Sequence, residues 1–181
     1  MLDSNWRCSR SLLTSSEAGS TQRRLRNETA MLTIRLATSD DHDAIEALWA
    51  ESQLPTVSTA EWATLLAGPA MVLLAEDECG LAGAGVASFD GWRAHIYHVA
   101  VDPLSRHRGI ASAIMADAET RLRRLGARTI HIEVRETNCR ALALTARAGY
   151  DVAASTVLLI KDIEDSEQRA DEIPVRRGIS R

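Results

Sequence analysis

Apolar and polar positions alternate along Leu32-Thr33-Ile34-Arg35-Leu36-Ala37, the period-2 pattern of a half-buried strand. The period then changes to that of a helix. Ile45, Leu48 and Trp49 share one face, and Ser39 or Asp40 stands where a cap is needed. Ser58-Thr59-Ala60-Glu61 has capping-box spacing and opens a second, short helix that stops near Gly68-Pro69. Three strand candidates follow in a row: Met71–Glu76, Leu81–Phe89 and Ala94–Val101. A polar turn at Asp77–Gly80 joins the first two, and Asp90-Gly91, a hairpin signal, joins the second pair. A long helix runs from about Gly109 to Leu125 with Ile110, Ile114, Ala118, Leu122 and Leu125 on one face, and Gly126 suits its end. A strand over Thr129–Arg135, a helix over Cys139–Ala148 ended by Gly149, and a last strand over Val152–Asp162 complete the series. The order βααβββαβαβ combines antiparallel hairpins with a βαβ crossover. It predicts a mixed sheet in an α/β (mixed α+β) domain.

Length and composition narrow the function classes. The 181 residues fit one domain with tails. A net charge of −4 gives no bulk attraction to nucleic acid or to an anionic membrane, and neither is expected as a partner. The longest apolar run, Ala70-Met71-Val72-Leu73-Leu74-Ala75, is far short of the ~18 residues of a membrane span. Cysteines at 8, 79 and 139 have neither disulfide-framework nor zinc-site spacing, which fits a reducing, cytoplasmic location and no metal.

Both ends lose the pattern. Residues 1–30 are rich in Ser, Thr and Arg without periodicity. Three readings fit them: a disordered leader, a mis-called start with Met31 as the real one, or a cleaved targeting segment. They lack the apolar stretch of ~7–15 residues of a secretory signal. The expected domain covers residues 31–163, and 164–181 read as a charged, flexible tail.

The chemistry concentrates in His95-Ile96-Tyr97-His98-Val99-Ala100-Val101-Asp102-Pro103-Leu104-Ser105-Arg106-His107-Arg108-Gly109-Ile110-Ala111. A strand ends at Pro103, a basic turn follows, and a helix begins at the glycine. A helix start presents about four unpaired N–H groups and about half a positive charge. Gly109 and Ala111 let a ligand approach the backbone, and Arg106 and Arg108 add cations at the same mouth, which together make a pyrophosphate cradle. No Gly-Lys-Ser/Thr follows, so this is not a Walker loop, and only one of the three glycines of a dinucleotide fingerprint is present. Two readings stand at this point: a phosphate-binding helix start, or an ordinary tight turn.

Arg106-x-x-Gly109-x-Ala111, preceded by Val99-Ala100-Val101-Asp102-Pro103, resembles the coenzyme A-binding motif of the GNAT acetyltransferases. Downstream, Ile132-Glu133-Val134-Arg135-Glu136-Thr137-Asn138, with Ala141, Leu144 and Ala148-Gly149-Tyr150, is similar to that family's strand–helix segment ending in Gly-Phe or Gly-Tyr. The element order agrees too, and the resemblance spans about Leu32 to Lys161. It implies a mostly antiparallel central sheet flanked by helices. The implied activity is acetyl-CoA-dependent N-acetyl transfer to a primary amine, by direct attack in a ternary complex. A non-catalytic acyl-CoA-binding or sensing module is the alternative. The partners implied are acetyl-CoA and a small-molecule or protein amine, with a homodimer common among relatives.

The resemblance also assigns residues. The amides around Arg106, His107, Arg108, Gly109, Ile110, Ala111 and Ser112 would hold the pyrophosphate. Val99, Ala100 and Val101 would hydrogen-bond the pantetheine arm, on a strand splayed from its neighbour to leave a notch for the thioester. Asn138 matches an asparagine that contacts the cofactor, and it also suits a helix N-cap. Two residues compete for the base. His95 aligns with a base glutamate of histone-type members, and Glu133 with the glutamate of ribosomal-protein N-acetyltransferases. A partly exposed strand histidine and an arginine-paired carboxylate are their structural alternatives. Where the family often carries a tyrosine that protonates the departing thiolate, this chain has Thr145, a far poorer acid. Strand alternation groups His95, Tyr97, Val99 and Val101 on one face and Ile96, His98 and Ala100 on the other.

Overall fold

The computed structural model describes residues 31–153 and residue 160. Strand β1 (Thr33–Leu36) leads through a tight turn into α1 (His42–Glu51), and α2 (Thr59–Ala67) follows. Next come β2 (Ala70–Asp77), β3 (Gly80–Phe89) and β4 (Ala94–Val101), then α3 (Ile110–Arg124), β5 (Ile130–Ile132) and α4 (Cys139–Arg147). The strands form one sheet in the order β1-β2-β3-β4-β5. All neighbours are antiparallel except β4 and β5, which the α3 crossover makes parallel. The mixed, mostly antiparallel fold expected from the sequence is therefore present.

Local chemistry explains the starts of the helices. The Ser58 side chain accepts from the Glu61 N–H at 3.3 Å while the Glu61 carboxylate accepts from the Ser58 N–H at 2.6 Å, closing the capping box. Arg35 on β1 donates to both Asp41, at 2.7 and 2.8 Å, and Glu76, at 2.8 and 2.9 Å. One guanidinium thus ties β1 to β2 and to the entry of α1. Its hydrogen bonds, outweighing desolvation, hold the Asp41 carboxyl down to about 2.

The sheet divides the core in two. Leu73, Ala75, Ala87, Ala94 and Ile96 pack against Ile110, Ile114, Ala118 and Leu122 of α3. Val72, Leu74, Ala84, Val86 and Ala100 pack against Ile45, Leu48 and Trp49 of α1 and Trp62 of α2. Burying each large side chain contributes about 1.5–3 kcal/mol, so both faces are anchored independently.

Four expectations need comment. The strand read over Thr129–Arg135 is only Ile130–Ile132, because alternation marks a two-faced segment without guaranteeing a partner, and β4 pairs with β5 only as far as Ile96↔Ile132. Leu125, placed on the buried face of the long helix, is exposed, since the helix ends at Arg124 and the chain turns at Gly126. The grouping of residues along β4 is corrected below. Most of the last strand, like residues 1–30 and the tail, lies outside the described residues; Val152 and Ala153 are described and are not in a strand.

Candidate functional site

At the C-terminal end of β4 the chain makes a compact basic turn. The Asp102 side chain accepts the Leu104 N–H at 2.7 Å and starts a single tight turn over Pro103–Ser105. His107 and Gly109 then take positive φ, 65° and 78°, and α3 begins at Ile110. The first intrahelical bond is Ala113 N–H to Gly109 C=O, at 3.0 Å. The N–H groups of Ile110, Ala111 and Ser112 have no acceptor among the described residues, and no acidic side chain occupies the first turn. A Cβ at Gly109 would meet nothing within 4 Å, so the turn is uncrowded at the residue that precedes these amides. Free amides at a helix start, beside exposed cations, are a geometry to which an anion can bind.

Two glycines on β3 bring the helix start to this position. A Cβ on Gly83 would stand 2.9 Å from the Ala100 carbonyl and 2.9 Å from Ile110 Cγ2. One on Gly85 would stand 2.8 Å from Ile114 Cγ2. Without side chains there, α3 sits directly on the sheet with its N-terminus beside the end of β4.

The two arginines at the mouth differ. Arg106 is exposed and, among the described residues, makes one long bond, Nε to the Val101 carbonyl at 3.4 Å, leaving most of its donors free. Arg108 is bound: its guanidinium meets Asp77 at the end of β2 at 2.5 Å. The other Asp77 oxygen accepts the Cys79 N–H at 2.8 Å, so Asp77 anchors the β2–β3 turn and Arg108 together.

Beyond Ile96↔Ile132 the strands part, and Tyr97 to Val101 have no partner on the β5 side among the described residues. On its other side β4 carries a bulge. Ala84 pairs with Ala100 and Val86 with Tyr97, so both His98 and Val99 lie opposite Gly85. His98 absorbs the extra residue with φ of 52°. The bulge resets the side-chain alternation. Val99 and Val101 join Ile96 on the α3 face, while Tyr97 and Ala100 pack on the α1–α2 face. The grouping of His95, Tyr97, Val99 and Val101 on one face is therefore wrong, and no residue type in β4 signals the bulge.

His98, at the bulge, meets the α1 side of the sheet. Its ring lies edge-on to Trp49, centroids 5.0 Å apart, and hydrogen-bonds the backbone of Pro55 in the α1–α2 connection. Proline offers only a carbonyl, so the imidazole donates. Burial pushes this imidazole below its usual value and keeps it neutral at pH 7.

The acid–base candidates sit around the fork. Glu133 is the first residue past β5; it is exposed and has no side-chain partner among the described residues. His95 lies one pair before the fork, opposite His131, and the two rings stack at 5.3 Å with 27° between planes. Asn138 caps α4, its Oδ1 accepting the Ala141 N–H at 3.1 Å. The Thr145 hydroxyl is directed to its own helix, 3.1 Å from both the Ala141 and Leu142 carbonyls. Tyr150 donates to Glu119 on α3 at 2.9 Å, and burial with that carboxylate raises the phenol well above its usual range. Neither hydroxyl is a free proton donor. The fold thus gathers Val99–Val101 and the turn from Arg106 at the C-terminal end of β4 and sets Glu133 just past the last β4–β5 pair, while Asn138 and Thr145 stand on the helix beyond β5.

Comparison with known proteins agrees with this geometry. The model of the acetyltransferase (GNAT) family matches residues 33–150. An acetyltransferase of Pectobacterium atrosepticum is 30% identical over 140 residues, covering 74% of this chain and 98% of that protein. Among solved structures, one described as a predicted acetyltransferase with acetyl-CoA, from Clostridium acetobutylicum, superposes with TM-score 0.61 at 14% identity, over 72% of this chain and 96% of that one. The ribosomal-protein-S18-alanine N-acetyltransferase of Escherichia coli superposes with TM-score 0.61 at 22% identity, over 68% and 79%.

Proposed function

Since this chain belongs to the GNAT acetyltransferase family, we propose that it is an acetyl-CoA-dependent N-acetyltransferase, acylating a primary amine by direct attack in a ternary complex. One observation carries the reading. Among the described residues, three free helix-start amides and the unpaired side of β4 meet at the same corner of the fold. That corner offers anion donors and strand-type hydrogen bonds in succession, which suits a molecule with a pyrophosphate at one end and an amide-bearing arm leading from it.

The residues fit acetyl-CoA in kind. The Ile110, Ala111 and Ser112 amides and the free donors of Arg106 hold the pyrophosphate, and His107, Arg108 and Gly109 shape the turn. Val99, Ala100 and Val101 present backbone groups to the pantetheine arm, and Asn138 adds a polar contact beside its capping role. Acetyl-CoA supplies an activated acyl thioester. Glu133 receives the proton of the attacking amine, directly or through water, a role worth about 10²–10⁴-fold. Its place at the fork favours it over His95, which is stacked on His131 one pair back. The thiolate leaves without help from Thr145; a thiol with pKa about 8.5, as in cysteine, tolerates this.

Titration of acetyl-CoA into the full chain, followed by an amine panel with thiol detection, tests the proposal. One-to-one binding with thiol released for at least one amine is expected, and Gly109→Trp abolishes both. A folded protein that binds no acetyl-CoA overturns the reading. Binding without thiol release from any amine marks the chain as an acyl-CoA-binding module instead.

A further inference from the structure

At the opposite end of β4 from the anion cradle, the β3–β4 hairpin and the segment entering β5 enclose a cleft of about 490 Å³. Trp92, Arg93, Arg128, Thr129 and His131 line it. Its charge runs against that of the chain, which is −4 overall. Neither Arg93 nor Arg128 has a carboxylate partner among the described residues. Asp90, the nearest acid in sequence, has its Oδ1 taken by the Trp92 and Arg93 backbone N–H groups at 2.7 and 2.6 Å, and its charge acts on Arg93 without a direct ion pair. Arg93 instead lies over the Trp92 ring, 4.9 Å from its centroid, and Trp92 is 79% exposed. An arginine resting over an exposed indole, with a second arginine lining the same cleft, presents two cations suited to carboxylates.

The cleft is connected to the reactive corner. His131 lines it and stacks on His95, and one pair further along the strands separate beside Glu133. From Arg93 to Tyr97, where the fork opens, is four residues, or about 13 Å at ~3.3 Å per strand residue. A ligand that fills both places carries an amine and an acid about that far apart. An extended polypeptide does so in about four residues.

We propose that the acceptor is a polypeptide amine, and that the Arg93–Arg128 cleft binds an acidic side chain three to five residues along the chain from it. This rests on the acetyltransferase reading and supplies its substrate class. The single-molecule span disfavours small metabolites, and the overall negative charge disfavours nucleic acid.

The test uses the full-length protein and two labelled peptides with the same reactive amine, one with Asp and Glu three to five residues away and one with Ser and Gln there. Fluorescence anisotropy reads binding, and thiol release reads transfer. The acidic peptide is expected to bind at least tenfold more tightly, with a preference that shrinks as salt rises. Arg93→Glu with Arg128→Glu is expected to bring the ratio to one or below, and Arg93→Gln with Arg128→Gln to reduce it by several-fold. Unchanged acetyl-CoA affinity in both variants shows that they are folded. Equal binding of the two peptides, or a preference that survives both double substitutions, overturns the proposal. Tighter binding of a single-stranded oligonucleotide of equal charge, displacing the acidic peptide, also overturns it. If neither peptide is acetylated while another amine releases thiol, the polypeptide acceptor is overturned; if no amine releases thiol while the anisotropy results hold, the cleft stands and the assignment of catalysis falls.

Discussion

Arg108 and Asp77 meet at 2.5 Å across the mouth of the anion cradle, and the Asp77 side chain is only 4% exposed. The pair separates two arginines that look equivalent in the sequence. Removing the Arg108 side chain strands a nearly buried carboxylate, so Arg108→Ala is expected to destabilise the fold by about 1–3 kcal/mol. Arg106→Ala breaks one long bond and is expected to leave stability within about 0.5 kcal/mol while weakening acetyl-CoA binding several-fold. Chemical denaturation and calorimetric titration of both variants check the contrast.

The Asp41 carboxyl, held at about 2 against an ordinary 3.8, gives the fold a defined acid response. A depressed carboxylate contributes stability that is fully present above its unfolded value and is lost as pH falls through its folded one. The window is therefore pH 4 down to 2. Because Arg35 and Glu76 are about a third exposed, solvent screening leaves a contribution of about 1 kcal/mol. Asp41→Asn is expected to lower stability at pH 7 by that amount and to flatten the profile between pH 4 and 2, read by denaturation midpoints across pH.

Gly85→Ala places a methyl 2.8 Å from Ile114 Cγ2. Overpacking of this kind costs about 1–3 kcal/mol and pushes α3 off the sheet. The helix start moves with it, so acetyl-CoA affinity is expected to fall although residue 85 is on β3 and touches no part of the proposed ligand. Wild-type affinity in a destabilised variant would show that the cradle does not depend on the seating of α3.

Glu133→Gln is expected to lower kcat by about 10²–10⁴-fold with acetyl-CoA affinity retained, and His95→Gln to lower it by less than tenfold. Steady-state kinetics with saturating acetyl-CoA and one responsive amine decide between them. The reverse ranking would move the base one strand pair inward.

Much of this was legible in the chain. Ser58-Thr59-Ala60-Glu61 closes its capping box, Asp90-Gly91 turns the hairpin, and Gly109 opens α3, because each of these signals acts within a few residues. The role of Asn138 as a cap was readable for the same reason. What depends on partners distant in sequence was not. Nothing near Arg108 announces Asp77, thirty-one residues away. The bulge at His98 arises from β3–β4 register, and it overturned a face assignment that alternation alone supported. The strand at Ile130–Ile132 is short because its pairing with β4 stops at Ile96↔Ile132, which periodicity does not record.

Among the described residues, the unpaired side of β4 from Tyr97 to Val101 is, in effect, a raw edge inside the sheet. Such an edge accepts any extended chain that reaches it, including a strand from a second molecule that has partly unfolded. A ligand lying along it blocks that route and adds stability that grows with the logarithm of its concentration. Handled without such a ligand, the protein is expected to cloud and lose monomer with time. Kept with an excess, it should store and concentrate cleanly, which makes solution behaviour itself a readout of whether the gap is filled.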